Sequence, residues 1–241
     1  MQLQKMLSPL RRAIEDYQMI EEGDRVAVGV SGGKDSLTLL RGLAALSHFY
    51  PKKFEVIAIT LDMGFPNSDF SSIEQCCKQI DVPFYIEKTD IKTIIFDIRK
   101  ETNPCSLCAK MRRGALNDAA LAHGCKKVAL GHHFDDAVET FFLSLFYEGR
   151  ISCFSPVTYL GRKGITVIRP LIYMKESEIK GFVKEEGINV AKSLCPADGY
   201  TKREEMKEMI QKLDIGHRGL KTRIFTAIKN SQIPGWDAFN K

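Results

Sequence analysis

Val26-Ala-Val-Gly-Val-Ser-Gly-Gly-Lys-Asp-Ser-Leu-Thr-Leu-Leu40 decides the fold. It begins as an apolar strand, passes through Ser31-Gly32-Gly33-Lys34-Asp35-Ser36 and continues as a helix. A strand feeding through a glycine turn into a helix is the repeating unit of a parallel α/β sheet. Gly32 and Gly33 let the backbone approach phosphate closely, and the amides of the helix starting near Asp35 point at the anion. Ser31 and Ser36 add hydroxyl donors. The Walker loop is excluded, because Lys34 is followed by Asp35 rather than Ser or Thr and the spacing before it fails. An acid in a phosphate cradle makes sense with a Mg²⁺ between the two. Asp35 is therefore a candidate metal ligand, with helix capping as the alternative.

The same alternation recurs outward from this stretch. Arg25–Val30, Phe54–Leu61, Pro83–Lys88, Lys126–Gly131 and Ile165–Arg169 read as strands, the last after the turn Gly161-Arg-Lys-Gly164. Helical patterns separate them, which predicts a doubly wound, mainly parallel five-stranded α/β sheet. An N-terminal helix ends at Gly23, a C-cap position. After Pro170 the pattern is helical: Glu176–Glu186, Lys202–Leu213 and Arg218–Asn230. The expected organisation is an N-terminal helix over 1–24, a nucleotide-binding core over 25–172 and a small helical C-terminal extension over 173–241.

With 241 residues, 44% of them apolar, the chain can bury one ordinary core. No apolar run approaches membrane-spanning length. Met1-Gln-Leu-Gln-Lys5 leads straight into an amphipathic pattern, so no signal peptide is expected. Seven cysteines, an odd number, then argue for reduced thiols and a cytoplasmic protein. The net charge is +5, and residues 201–241 hold nine Lys and Arg against five Asp and Glu. That basic stretch fits a polyanionic partner or simply the solvated faces of two helices.

A second stretch supports the first. In Gly131-His-His-Phe-Asp-Asp-Ala-Val-Glu-Thr140, Asp135 and Asp136 stand in the first turn of the helix that follows the fourth strand. Simple N-capping is one reading. Asp136 gains the functional one because it lies at a second strand–helix turn on the same sheet edge, with Glu139 three residues on. His132 and His133 are candidate donors to phosphate or substrate, with a structural role for at least one of them.

Ser31–Ser36 resembles the PP-loop of the N-type ATP pyrophosphatases, whose fold is of the adenine nucleotide α-hydrolase kind. That resemblance implies cleavage of ATP between the α and β phosphates and adenylation of a carbonyl-type oxygen. The adenosine would lie near Leu61-Asp62-Met63, at the carboxyl ends of the strands. Ser31, Gly32, Gly33, Lys34, Asp35, Ser36, Leu61, Asp62, Gly131, His132 and Asp136 are then the nucleotide-site candidates, with Asp35 and Asp136 on Mg²⁺.

The cysteines bear on the nucleophile. Asn103-Pro-Cys105-Ser-Leu-Cys108 introduces the helix Ala109–His123, and Ser193-Leu-Cys195-Pro lies far downstream. Thiols at a helix N-terminus near Arg112 and Arg113 are expected to be biased toward thiolate. Cys-x-x-Cys permits a redox pair, half a zinc site or part of an iron–sulfur site. A Cys₄ zinc ribbon is excluded within one chain, while a Cys₃His zinc site stays open. In the functional reading Cys105, Cys108 and Cys195 hold a [4Fe–4S] cluster, leaving one iron open for hydrosulfide. Cys76, Cys77, Cys125 and Cys153 read as core or inert.

Together, Ser31–Ser36, Cys105–Cys108 followed by Arg112-Arg113-Gly114, Gly131–Asp136 and Val167-Ile-Arg-Pro-Leu171 resemble the tRNA 2-thiocytidine synthetases. The resemblance runs from about Arg25 to Cys195. It implies that Asp35, Asp136, Cys105, Cys108 and Cys195 are catalytic and that ATP, Mg²⁺ and a [4Fe–4S] cluster take part. The implied substrate is cytidine 32 of tRNA, with AMP and pyrophosphate released. It further implies a sulfur donor such as a cysteine desulfurase, and a homodimer. Alternatives are thiolation of another nucleoside or a small molecule, and a tRNA lysidine synthetase-like ligase with structural zinc at the cysteines. No residue is singled out by sequence as the reader of the base.

Overall fold

The computed structural model describes residues 3–100, 104–191, 195 and 202–238. Helix α1 (Leu3–Asp16) precedes β1 (Asp24–Gly29), α2 (Lys34–Ser47) and β2 (Phe54–Asp62). Then come α3 (Ser71–Gln79), β3 (Phe84–Lys88), a π-helical turn (Thr93–Ile98), α4 (Pro104–Ala122) and β4 (Lys127–Ala129). Helix α5 (Phe134–Glu148), β5 (Val157–Leu160), β6 (Ile165–Ile168), α6 (Glu176–Glu185), α7 (Lys202–Gly216) and α8 (Leu220–Asn230) complete the chain.

The strands form one sheet in the order β3-β2-β1-β4-β6-β5. All neighbours are parallel except β5, which runs antiparallel to β6 with Val157 opposite Ile168 and Leu160 opposite Ile165. The expected doubly wound sheet is present with six strands rather than five. The missed strand is short and only partly buried, so its alternation was too brief to stand apart from the Gly161–Gly164 turn. The N-terminal helix also stops earlier than expected, at Asp16. Gly23 does adopt a left-handed φ of +77°, but in the turn entering β1.

Period-two alternation divides the core between the sheet's two faces. Val26, Val28, Val56 and Ala58 face one layer, built with α1, α2 and the C-terminal helices. Ala27, Ile57, Ile59, Val128 and Ile165 face the other, where Leu116, Ala119 and Ala120 of α4 pack. Met206, Ile210, Phe225, Ile228 and Trp236 belong to the first layer, so the C-terminal helices share the core with α1 and α2.

Topology fixes where chemistry can occur. A helix joining two parallel strands runs against them, so its first turn lies at the strands' carboxyl edge. The first turns of α2 and α4, which link parallel strands, therefore sit there. So do those of α5 and α6, which follow β4 and β6. The connection order reverses between β1 and β4, and ligands of open α/β sheets bind at such a switch point.

Candidate functional site

The two turns flanking the switch point touch backbone to backbone. A Cβ added to Gly131 would stand 3.0 Å from the Asp35 carbonyl carbon and 3.2 Å from Ser36 N. Any larger residue there would need the facing backbone to give by a few tenths of an ångström. Gly131→Ala is expected to push the two turns apart, lowering the melting temperature and raising the KM for ATP about tenfold or more. Thermal unfolding and AMP-formation kinetics check both.

Within the first turn, Gly32 takes a φ of +79° and Gly33 is extended at the N-cap of α2. Ser36 Oγ donates to Gly33 O at 2.9 Å and accepts from Ser31 N at 3.2 Å. Gly33 N donates to Ser31 Oγ at 3.4 Å. The two serine hydroxyls thus brace the loop's shape. Ala191 N donates to Gly32 O at 3.0 Å, so the segment after α6 lies against the loop.

Lys34 Nζ lies 2.9 Å from Asp35 Oδ2 and 3.2 Å from Glu176 Oε1. The same Glu176 oxygen receives Lys207 at 3.1 Å and Lys180 at 3.3 Å. Burial would raise the Glu176 pKa, but Lys207 and Lys34 outweigh it and hold it at about 2. An acid depressed in this way stabilises the fold above its ordinary 4.5, and that contribution fades as pH falls toward about 2. Glu176→Gln is expected to flatten the acid limb of the stability profile in that window, read by thermal unfolding against pH.

The other oxygen of Asp35, Oδ1, is buried and has no hydrogen-bond partner among the described residues. Its charged-atom neighbour is His133 Nε2 at 3.6 Å, which also lies 3.4 Å from Asp136 Oδ2. One imidazole therefore stands between the two candidate metal ligands. His133 caps α5: its Nδ1 accepts from Asp136 N at 3.4 Å while Asp136 Oδ2 accepts from His133 N at 2.9 Å. With Nδ1 accepting, a neutral ring carries its proton on Nε2, toward the acids. His133 is thus the structural member of the histidine pair.

The paired aspartates divide as well. Asp135 is spent on structure, accepting from Glu176 N at 2.7 Å and Lys221 Nζ at 2.8 Å. Asp136 turns Oδ1 to Arg203 at 3.2 Å. Arg203 also reaches Glu139 Oε2 at 3.5 Å and Thr140 Oγ1 at 3.2 Å. Burial, with Asp136 close by, pushes the Glu139 carboxyl up to about 7 against the pull of Arg203. The basic C-terminal stretch is consequently drawn inward. Arg203 and Lys207 pair with acids at this edge, and Lys202 lies over the Tyr147 ring at 4.5 Å. Glu176 was not anticipated, and Arg203, part of the basic stretch expected to face a polyanionic partner, was not anticipated at this edge. Glu176 opens a helix on the same edge, as Asp35 and Asp136 do, and that rule could have found it; Arg203 arrives only through tertiary packing. Leu61 and Asp62 end β2, where Asp62 Oδ1 accepts from Gly64 N at 3.0 Å.

The cysteines lie on the helix rather than before it. Helix α4 begins at Pro104, a residue suited to the first helical position, so Cys105 and Cys108 occupy its opening turn. Cys105 is exposed, and Cys108 and Cys195 are half-buried. The expected bias of Cys108 toward thiolate is reversed. Burial raises its pKa, Arg112 opposes that, and Cys195 and Cys105 raise it further by like charge. The distant Cys195 is thereby within electrostatic reach of Cys108. Among the described residues, no three His, Cys, Asp or Glu groups close on a point suited to one metal ion. Cys76, Cys77 and Cys125 are buried, and burial pushes the Cys77 and Cys153 thiols up to about 12. Residues 192–194 and 196–201, on either side of Cys195, lie outside the described residues.

Comparison with known proteins agrees with this architecture. The PP-loop domain family matches residues 3–213. A tRNA-cytidine(32) 2-sulfurtransferase of Geobacter metallireducens is 39% identical over 231 residues, covering 95% of this chain and 90% of the relative. Its counterpart in Geotalea daltonii is 40% identical over 224 residues, with 92% and 89% covered. Among solved structures, the U34-tRNA thiolase NcsA from Methanococcus maripaludis with its [4Fe-4S] cluster superposes with a TM-score of 0.78 at 24% identity. That likeness covers 94% of this chain and 77% of that one, and it speaks for the fold. The chain belongs to the PP-loop family, in the branch of the tRNA-cytidine(32) 2-sulfurtransferases.

Proposed function

We propose that this chain is an ATP-dependent tRNA sulfurtransferase that replaces O2 of cytidine 32 by sulfur. The observation that carries the reading is a phosphate loop touching a second turn with two carboxylates at one sheet edge, with Cys105 and Cys108 in the first turn of α4 and Cys195 within electrostatic reach of Cys108. Gly32, Gly33 and the first amides of α2 receive the phosphates, and Lys34 leaves Glu176 to neutralise them. Asp35 and Asp136 suit Mg²⁺: both offer hard oxygen ligands, and the buried, unpartnered Asp35 Oδ1 is an acceptor in want of a cation. Arg203 holds the charge of Asp136 until then.

O2 of the pyrimidine attacks the α-phosphorus, the α–β bridge breaks and pyrophosphate leaves. The poor leaving oxygen becomes part of AMP, and sulfide attacking C2 expels it. Cys105, Cys108 and Cys195 suit a [4Fe–4S] cluster. Cys195 lies within electrostatic reach of Cys108, and soft thiolates are the ligands such a cluster takes. When bound, such a cluster with three protein ligands supplies an open iron as a carrier for sulfide. A cysteine desulfurase as sulfur donor, a homodimer and a cytoplasmic setting belong to the same reading. Among the described residues no helix is long and apolar enough to cross a membrane.

The test is incubation of anaerobically prepared protein with Mg²⁺-ATP, a sulfide source and unmodified tRNA. AMP, pyrophosphate and 2-thiocytidine at position 32 are expected. ADP and phosphate would reject the reading. AMP with an unthiolated tRNA and a new amide or amine adduct would favour the ligase instead.

A further inference from the structure

Ala191 ties the phosphate loop to the stretch of chain that carries the third thiol. Its N–H donates to Gly32 O at 3.0 Å. The packing is close as well: a Cβ on Gly32 would stand 2.8 Å from Ala191 Cβ and 3.3 Å from Ile73 Cδ1. The chain reaches Ala191 from an anchored start. Gly187 turns it out of α6 with a φ of +58°, Ile188 N donates to Val183 O at 3.0 Å, and Ile188 packs on the core. Cys195 follows four residues after Ala191. Four residues span at most about 14 Å, so the docking of Ala191 bounds the distance from the phosphate loop to that thiol. Cys105 and Cys108 are placed differently, by helix α4 itself.

The acceptor in this contact belongs to a peptide unit that also offers a donor to phosphate. Gly32 C=O and Gly33 N–H are the two ends of one planar trans unit, so they point in opposite directions. With the carbonyl turned to Ala191, the N–H is turned away, and its acceptor there is Ser31 Oγ at a long 3.4 Å. That weakly used donor is one of the loop amides suited to a phosphate oxygen. A phosphate on the N–H polarises the unit and makes its carbonyl a stronger acceptor. It also takes up the rocking freedom of a peptide between two glycines. Both effects firm the bond to Ala191.

We infer that Ala191 is a positioning residue through which phosphate in the loop holds Cys195 in place. The inference rests on the thiolation reading for what Cys195 does there. With ATP bound, the chain at the third thiol opens less often, so the thiol keeps its place while sulfur is handed on. The contact is already made while Gly33 N–H is on Ser31 Oγ, so phosphate deepens a state that prevails without it. Reactions that need the open state therefore slow much more than the affinity for ATP changes.

The test is alkylation of the full chain, prepared without iron, by iodoacetamide. It is run with and without Mg²⁺ and saturating α,β-methylene-ATP, which cannot be cleaved at the α–β bridge. Peptide mass spectrometry reads the rates at Cys195 and Cys105 separately. In wild type the nucleotide should slow Cys195 at least about fivefold and Cys105 less than about twofold. Ala191→Pro removes the N–H, and titration of each variant sets the nucleotide at saturation. There the slowing at Cys195 should fall below about twofold. Direct shielding by the nucleotide would persist in that variant and overturn the inference. So would an unslowed Cys195 in wild type with nucleotide bound. If the proline variant does not fold, two glycines inserted after Ala191 keep the contact and lengthen the tether; full slowing there overturns the inference. Neither iron, sulfide nor RNA enters, so these outcomes leave the thiolation reading intact. Failure of wild type to bind the nucleotide overturns the reading and the inference together.

Discussion

Asp35→Ala protein is expected to fold at least as stably as the wild type and to form no AMP. The buried, unpartnered Asp35 Oδ1 costs the fold on the order of 1–3 kcal/mol, which the substitution relieves. Lys34 loses one partner at 2.9 Å but keeps Glu176 at 3.2 Å. Catalysis loses a ligand for the cation that neutralises departing pyrophosphate, an effect of about a thousandfold or more. Asp136 needs a gentler change, because its carboxylate caps α5 through His133 N at 2.9 Å. Asp136→Asn keeps an acceptor for that bond and removes the charge, so the fold should persist while AMP formation falls equally far. Thermal unfolding beside single-turnover AMP formation checks both. Variants that retain activity within about tenfold of wild type would exclude these aspartates from the metal site.

Serine at Cys105, Cys108 or Cys195 is expected to abolish thiolation while leaving Mg²⁺-ATP binding within about twofold. The reason is positional: Cys105 and Cys108 sit on the first turn of α4, whereas the phosphate cradle is the β1–α2 turn. Cys195 joins them only through tertiary structure, and its charge is felt by Cys108. Wild-type protein prepared without oxygen should hold about four iron and four labile sulfide per chain. Each serine variant should hold less than about a tenth of that. Metal analysis and ATP titration on the same samples separate the two sites. Stoichiometric zinc in the wild type, or full iron in a variant, would contradict the assignment.

Much of this was legible in the sequence because the fold's rules are local. The run from Val26 to Leu40 gave a strand, a glycine turn and a helix, and the structure places them at Asp24–Gly29 and Lys34–Ser47. The parallel sheet followed from the same unit repeated. What escaped was set by contacts between distant elements. Strand β5 is four residues long and antiparallel, so no crossover helix announced it. Arg203 and Lys207 read as a basic surface because sequence shows charge but not the direction in which a helix turns it. The Cys108 thiol was misjudged for a similar reason, since proximity to Arg112 is visible along the chain and burial is not. Gly32 and Ala191 lie 159 positions apart, and only the folded chain sets one against the other.

Adenylation of the base oxygen is the step that joins the phosphate loop to the thiols, and an isotope reports it directly. A tRNA carrying ¹⁸O at O2 of cytidine 32, turned over with Mg²⁺-ATP and sulfide, yields AMP for mass spectrometry. If O2 attacks the α-phosphorus and later departs with it, the label appears in the AMP phosphate, one atom for each 2-thiocytidine formed. Label found in water, with unlabelled AMP beside thiolated tRNA, would contradict activation of the base by this chain.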